Sequence, residues 1–254
     1  MANGLINVDL FKAGVEGKLG AKRKLAQFVE QESVEGLQAH TITMITNDYV
    51  GDATVVAKGG KIPLADLRQT KTPVSFEKLA KGVKVADEEV KQGFGDVLGN
   101  AENQTVKAIE NAMEAKIADL LKTAQATQEY EGEFGASVVL DAIGAFGENY
   151  EGEENFLLVN PVDHANLQKE IKGFDNTGIQ PQLYGATLVM SSRVEAGKPY
   201  IIQKGAIKEF VQKDVEVETS RDASTKSTEI YTDKIYGVYI QDQSKILAIK
   251  PTAI

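Results

Sequence analysis

The chain has 254 residues, 42% hydrophobic and 26% charged, with a formal net charge of -9 and no cysteine. That balance belongs to folded soluble proteins, and the missing thiols exclude disulfides, thiolate zinc sites and cysteine nucleophiles. A net charge of this sign opposes a nucleic-acid grip over the whole surface, which needs a concentrated basic face.

Residues 1–40 read as an arm. Its opening, "MANGLINVDLFKAG", lacks the basic start and continuous apolar core of a secretory signal, so a protein made and kept inside a cell is expected. No apolar run reaches the roughly eighteen residues of a membrane span. The stretch "KLGAKRK" holds Lys18, Lys22, Arg23 and Lys24, either a solvated arm or a contact for nucleic acid or an acidic partner. In "KLAQFVEQ", Leu25, Phe28 and Val29 give one short apolar helical face.

From Thr41 the period changes to two in "TITMIT", a strand. The following segment, to about Val85, has β-formers on both sides of Gly59-Gly60 and reads as a long hairpin arm. Its middle, with Lys58, Lys61, Asp66, Arg68 and Lys71, is too polar to own a core. Isolated hairpins are marginal in water, so this one should lie on another subunit or domain.

Asp87 fits an N-cap, and Val90, Phe94, Val97, Ala101, Ala108, Ile109, Met113, Ile117 and Leu121 recur at helical spacing. Unbroken to about Ala124, this helix would be about 55 Å long. Gly93, Gly95 and Gly99 weaken its first half by roughly 1 kcal/mol each, which permits a kink. "ASVVLDAIGAF" predicts a helix and "NFLLVN" a short buried strand. "LYGATLVMSS" and "KPYIIQKGAIKEFV" add strands, and the C-terminal region reads as long antiparallel strands with turns at 221–226 and 241–244.

The candidate chemistry is thin. In "NPVDHANLQKEI", Asn160 suits an N-cap, Pro161 the first helical position and Asp163 the first turn. Adjacent helix residues diverge by about 100°, so Asp163 is badly placed to orient His164 as a triad acid would. A hydrolase using Asp163 and His164 is the enzymatic alternative. "GFGDVLG" at 93–99 imitates a dinucleotide fingerprint but follows a helix start, where that motif needs a strand. Ser75-Phe76-Glu77-Lys78 matches Ser-x-x-Lys without companion motifs. Glu148, Glu151, Glu153 and Glu154 lack the alternating spacing of a calcium loop. No cofactor, metal or catalytic residue is assigned.

The order of elements, with "GVKVADEEV" leading into the long helix, "LLVNPVDHANLQKEI", "LYGATLVMSSRVEAGKPYIIQKGAIKEF" and the closing "IYTDKIYGVYIQDQSKILAI", resembles the major capsid proteins of tailed bacteriophages, of Hong Kong 97-type fold. The resemblance implies an α+β chain with a long spine helix, an extended β-hairpin loop, a peripheral β-sheet domain and an axial α/β domain. By it, residues 1–40 would be the N-terminal arm, 41–80 the extended loop, 81–130 and 205–254 the peripheral domain, and 131–204 the axial domain. It implies a non-enzymatic protein that forms pentamers and hexamers of itself, assembles in the host cytoplasm and becomes part of the virion. Its further implied partners are a separate scaffolding protein, a portal and non-specifically packaged double-stranded DNA, with no membrane. The extended loop would make the intersubunit contacts through Lys58, Lys61, Arg68 and Lys71. Some relatives join Lys and Asn side chains covalently, but no Asn partner is identifiable here. A non-viral, encapsulin-like shell protein of the same fold is the alternative within the resemblance.

Overall fold

The computed structural model describes residues 7–19, 23–47, 53–67, 69–92, 95–150, 154–171 and 182–252. The arm is more structured than its sequence suggests. Helix α1, Val8–Lys18, opens on Asn7, whose Oδ1 accepts hydrogen bonds from the N–H of Asp9 and Leu10. Phe11 and Val15, one turn apart, are buried in a cluster with Ala101, Val106, Val215 and Ile230. A 3-10 turn, Leu25–Phe28, and strand β1, Val29–Ser33, follow. Val29 therefore leaves the expected helical face and enters a strand, because β1 pairs in parallel with the distant β10, Ile207–Asp222, starting at Val29↔Ile207.

β2, Thr41–Asn47, and β3, Gln69–Ser75, form an antiparallel hairpin in register from Thr41↔Ser75 to Asn47↔Gln69. The regular strands stop well short of Gly59-Gly60, and residues 53–57 and 61–67 carry no strand. The tip is a turn in which Gly60 N–H donates to the Ala57 carbonyl at 2.8 Å and Gly59 takes φ +85°. At the base, Val74 packs with Phe210 and Tyr239, whose rings stack 5.7 Å apart. The hairpin crosses β11, Ser227–Ile240, at Gly237, where an added Cβ would lie 3.1 Å from the Ser75 carbonyl oxygen.

The long helix is divided. α2, Asp87–Gln92, precedes α3, Val97–Leu121, and between them Gly95 takes φ +82°. Asp96 restarts the helix, its carboxylate accepting from Gly99 N–H at 2.8 Å. The 25 residues of α3 span about 37 Å. Gly93 and Phe94 lie outside the described residues. The apolar stripe expected from spacing is buried along α3: Ala101, Ile109, Met113, Ile117 and Leu121.

One face of a four-stranded sheet, ordered β1-β10-β11-β4 with β4 at Glu77–Ala86, packs on α1 and α3. A six-stranded sheet contains β5 (Ala126–Tyr130), β6 (Asn155–Val159), β7 (Gln182–Leu183), β8 (Ala186–Met190), β9 (Tyr200–Gln203) and β12 (Ile246–Pro251), ordered β5-β12-β9-β6-β8-β7. β12, expected among the long antiparallel strands, instead pairs with β5 and β9, so residues 205–254 are split between the sheets. Every residue of β6 is buried, which explains its apolar run Phe156–Val159, while the buried Asn155 amide is hydrogen-bonded to the Tyr150 carbonyl and the Gln203 side chain. Helices α4, Ala136–Phe146, and α5, Pro161–Glu170, add Val139, Ala142 and Leu167 to a core against Leu157, Ile201 and Ile249. A second core joins the two halves, with Leu25, Phe28, Ile117 and Leu121 meeting Phe156, Leu158, Ile202 and Ile246.

Candidate functional site

Asp163 and His164 both lie buried on α5, but they serve the fold. Asn160 caps the helix by accepting from Val162 N–H at 2.9 Å, with Pro161 behind it. The Asp163 carboxylate was expected to face the first-turn N–H groups; it accepts instead from the backbone N–H of Gly197 at 2.8 Å, tying α5 to the loop before β9. Burial raises its pKa, an effect the Gly197 hydrogen bond opposes. Burial also lowers the pKa of His164.

The other sequence candidates disperse. Lys78 of the Ser-x-x-Lys match pairs with Asp233 across the sheet, and Ser75 pairs with Thr41 in the hairpin. Glu154 pairs with Lys204 at 2.8 Å; Glu151, Glu153 and the side chain of Glu148 lie outside the described residues. No group of three or more metal-ligating side chains occurs among the described residues. No helix among them is long and apolar enough to cross a membrane. Two of the four charges of the basic stretch are neutralised within the chain. Lys18 pairs with Glu102 at 2.6 Å, and Arg23 holds Glu209 through both terminal nitrogens, at 2.6 and 3.3 Å. The N–H of Lys24 donates to Glu114 at 2.7 Å, and Lys22 lies outside the described residues.

What remains is surface, and the hairpin carries most of it. Lys58, Lys61 and Lys71 are exposed and form no ion pair with a described residue; Arg68 lies outside the described residues. The segment owns no core, and beside its lysines it also exposes apolar side chains. Val55 is 103% exposed, Leu64 96%, Ile62 76% and Leu67 64%, and none joins a buried cluster. The signal was in "VVAKGGKIPLADL", where apolar residues are too few and too broken by Gly59, Gly60 and Pro63 to sustain one face of a helix or strand.

These features fit a chain that builds with copies of itself, and known proteins decide the family. A phage capsid protein family model matches residues 69–249. The chain belongs to the phage capsid proteins. It is 32% identical, over 92% of its length and 89% of the relative's, to the major capsid protein of Staphylococcus phage phiMR11. Its fold is the Hong Kong 97-type capsid fold. The capsid of a native GTA particle superposes with TM-score 0.73 at 14% identity, covering 100% of this chain and 94% of that one. The virus-like particle of Pyrococcus furiosus gives 0.68 at 13%, covering 96% and 99%. As a phage capsid protein, the chain is a structural component of a virion, and its function lies in contacts between subunits.

Proposed function

We propose that this capsid protein assembles through pentamers and hexamers into an icosahedral shell that encloses the double-stranded DNA of a tailed phage. In this reading, residues 1–40 are the arm, 41–80 the extended loop that crosses a neighbour, 81–130 and 205–254 the peripheral domain and 131–204 the axial domain, with β5 and β12 lending strands to the axial domain's sheet. Assembly takes place in the host cytoplasm, guided by a scaffolding protein and starting from a portal, and the DNA is held without sequence preference. The supporting observation is the hairpin segment 53–67, whose large apolar side chains stand in solvent although exposed apolar surface of this kind is normally covered by a partner. Each is worth roughly 1.5–3 kcal/mol when fully buried, and an icosahedral shell repeats that contact at every subunit.

Expression alone and with the scaffold, followed by sedimentation and analysis of particle contents, tests the reading. Closed particles carrying DNA after packaging support it; a stable monomer under both conditions contradicts it. The likeness to the Pyrococcus furiosus particle supports a second reading, a shell of the same fold that encloses protein cargo. Particles filled with a co-expressed enzyme and no nucleic acid would favour that one.

A further inference from the structure

Between the last turn of α3, the loop joining β8 to β9 and the ends of β9 and β12 lies a pocket of about 180 Å³. Its floor is Tyr200, only 7% exposed, and its walls carry Lys122, Arg193, Lys198, Lys250 and Glu195. Register explains the floor. Tyr200 pairs with Ala248, and Lys250 stands two residues further along the same face of β12. The loop wall is held by its own chain. Tyr130 Oη donates to the Gly197 carbonyl at 2.8 Å, Asp163 accepts the Gly197 N–H, and Asn160 Nδ2 donates to the Val194 carbonyl at 2.7 Å. Arg193 is fixed by Asn111 at 2.8 Å and Glu114 at 3.5 Å.

The Tyr200 hydroxyl makes no hydrogen bond with a described residue although its side chain is buried, and buried hydroxyls ordinarily have a partner. Burial raises its pKa most, Glu195 adds to the rise, and Lys122 and Lys198 oppose it, so the hydroxyl opens among the pocket's charges. Lys250 is half-buried and makes no ion pair with a described residue. Glu129 is its register partner on β5, yet the two form no ion pair. Lys122 donates to Asp119 at 2.7 Å and Lys198 to Glu195 at 2.6 Å; an ammonium has three N–H groups, so each keeps donors in reserve. Glu195, the one carboxylate among the described lining residues, is thereby taken. The last carbonyls of α3 are taken too, by the N–H groups of Lys122, Thr123 and Ala124. The pocket therefore presents a surplus of donors and few free acceptors.

We propose that this pocket binds one phosphate group, with the Tyr200 hydroxyl and the Lys250 ammonium as its main donors and Lys122 and Lys198 completing the set. The volume suits an oxyanion with a few waters, well below the roughly 300–1,000 Å³ of pockets for drug-sized ligands. A phosphate accepts from several donors at once, and its charge strengthens each bond. Inorganic phosphate and a nucleic-acid phosphodiester share this chemistry. The site is independent of the hairpin and of how subunits dock.

The test is calorimetric titration of inorganic phosphate into purified subunits at constant ionic strength. Saturable binding is expected, weakened about tenfold by Tyr200→Phe and about tenfold by Lys250→Met, each the loss of one charge-assisted hydrogen bond. Tyr200→Phe keeps the buried ring, and Lys107→Met at an exposed position of α3 should leave binding unchanged. A short DNA duplex that displaces phosphate from the wild type and binds more weakly to Tyr200→Phe identifies a phosphodiester as the source. Phosphate binding that the duplex does not disturb identifies the free ion. Equal phosphate binding by wild type, Tyr200→Phe and Lys250→Met means an adventitious ion only and overturns the proposal. Absence of phosphate binding overturns it too, and an accompanying assembly defect in Tyr200→Phe would give the pocket to a carboxylate of a neighbouring copy.

Discussion

His164 is buried on α5, where burial holds its pKa below the ordinary histidine value near 6.5. The unfolded chain therefore takes up a proton at a pH where the folded chain does not. The stabilisation from a neutral His164 is fully present above the unfolded value and is lost as pH falls from there toward the folded one. Thermal unfolding of the subunit should drop in temperature between pH 7.5 and 5.5, and His164→Gln should flatten part of that drop; an unchanged profile would remove His164 as the cause. Asp163 has the opposite sign. Its raised pKa means that protonation favours the folded chain, a contribution present below the ordinary carboxylate value and lost as pH rises through the folded one. At neutral pH its value to the fold is the Gly197 hydrogen bond. Asp163→Asn keeps an acceptor and should cost little, whereas Asp163→Ala leaves the half-buried Gly197 N–H without it and should cost about 1 kcal/mol in denaturant titration. Equal losses would mean that the carboxylate charge, not the acceptor, matters. Arg23 and Glu209 form a third such test, with side chains 7% and 1% exposed. Arg23→Ala should destabilise by about 3–5 kcal/mol by leaving the Glu209 charge buried alone, and Arg23→Met with Glu209→Leu should recover much of that loss.

At the scale of elements, legibility followed locality. The buried stripe of α3, the strand "NFLLV" and the Asn-Pro start of α5 were readable because spacing, β-branched runs and capping chemistry act within a few residues. α1 was missed although Asn7, Val8, Phe11 and Val15 carry the pattern, because Gly14 and Gly17 lower its intrinsic propensity and its stability comes from packing. Gly14 serves that packing; a Cβ there would lie 2.7 Å from the Glu102 carboxylate. β1 and the pairing of β12 with β5 join positions more than 100 apart, which no local pattern encodes. The hairpin was legible as an element but not in its chemistry, since its apolar residues match no intramolecular face. Its tip has few contacts with its own chain, so trypsin should cut at Lys58 and Lys61 in free subunits and spare them in particles. Equal cleavage in both states would place the tip outside any contact.

For the whole molecule, one core joins the long helix, the arm turn and the six-stranded sheet, and among the described residues the hairpin segment 53–67 concentrates exposed large apolar side chains, Val55, Ile62, Leu64 and Leu67. The arm differs in that Phe11, Val15, Leu25 and Phe28 anchor it within its own subunit, although Leu10 and Leu37 are exposed. Assembly is then docking of preformed blocks with ordering of one loop, at a chain-entropy cost of roughly 1 kcal/mol or more per ordered residue offset by apolar burial and repeated contacts around a closed shell. Electron cryomicroscopy of particles from the purified protein tests this most directly. The account predicts closed icosahedral shells in which density for residues 53–67 of each subunit lies on an adjacent copy while the arm stays on its own; a hairpin folded back on its own subunit, or no closed particle at any concentration, would contradict it.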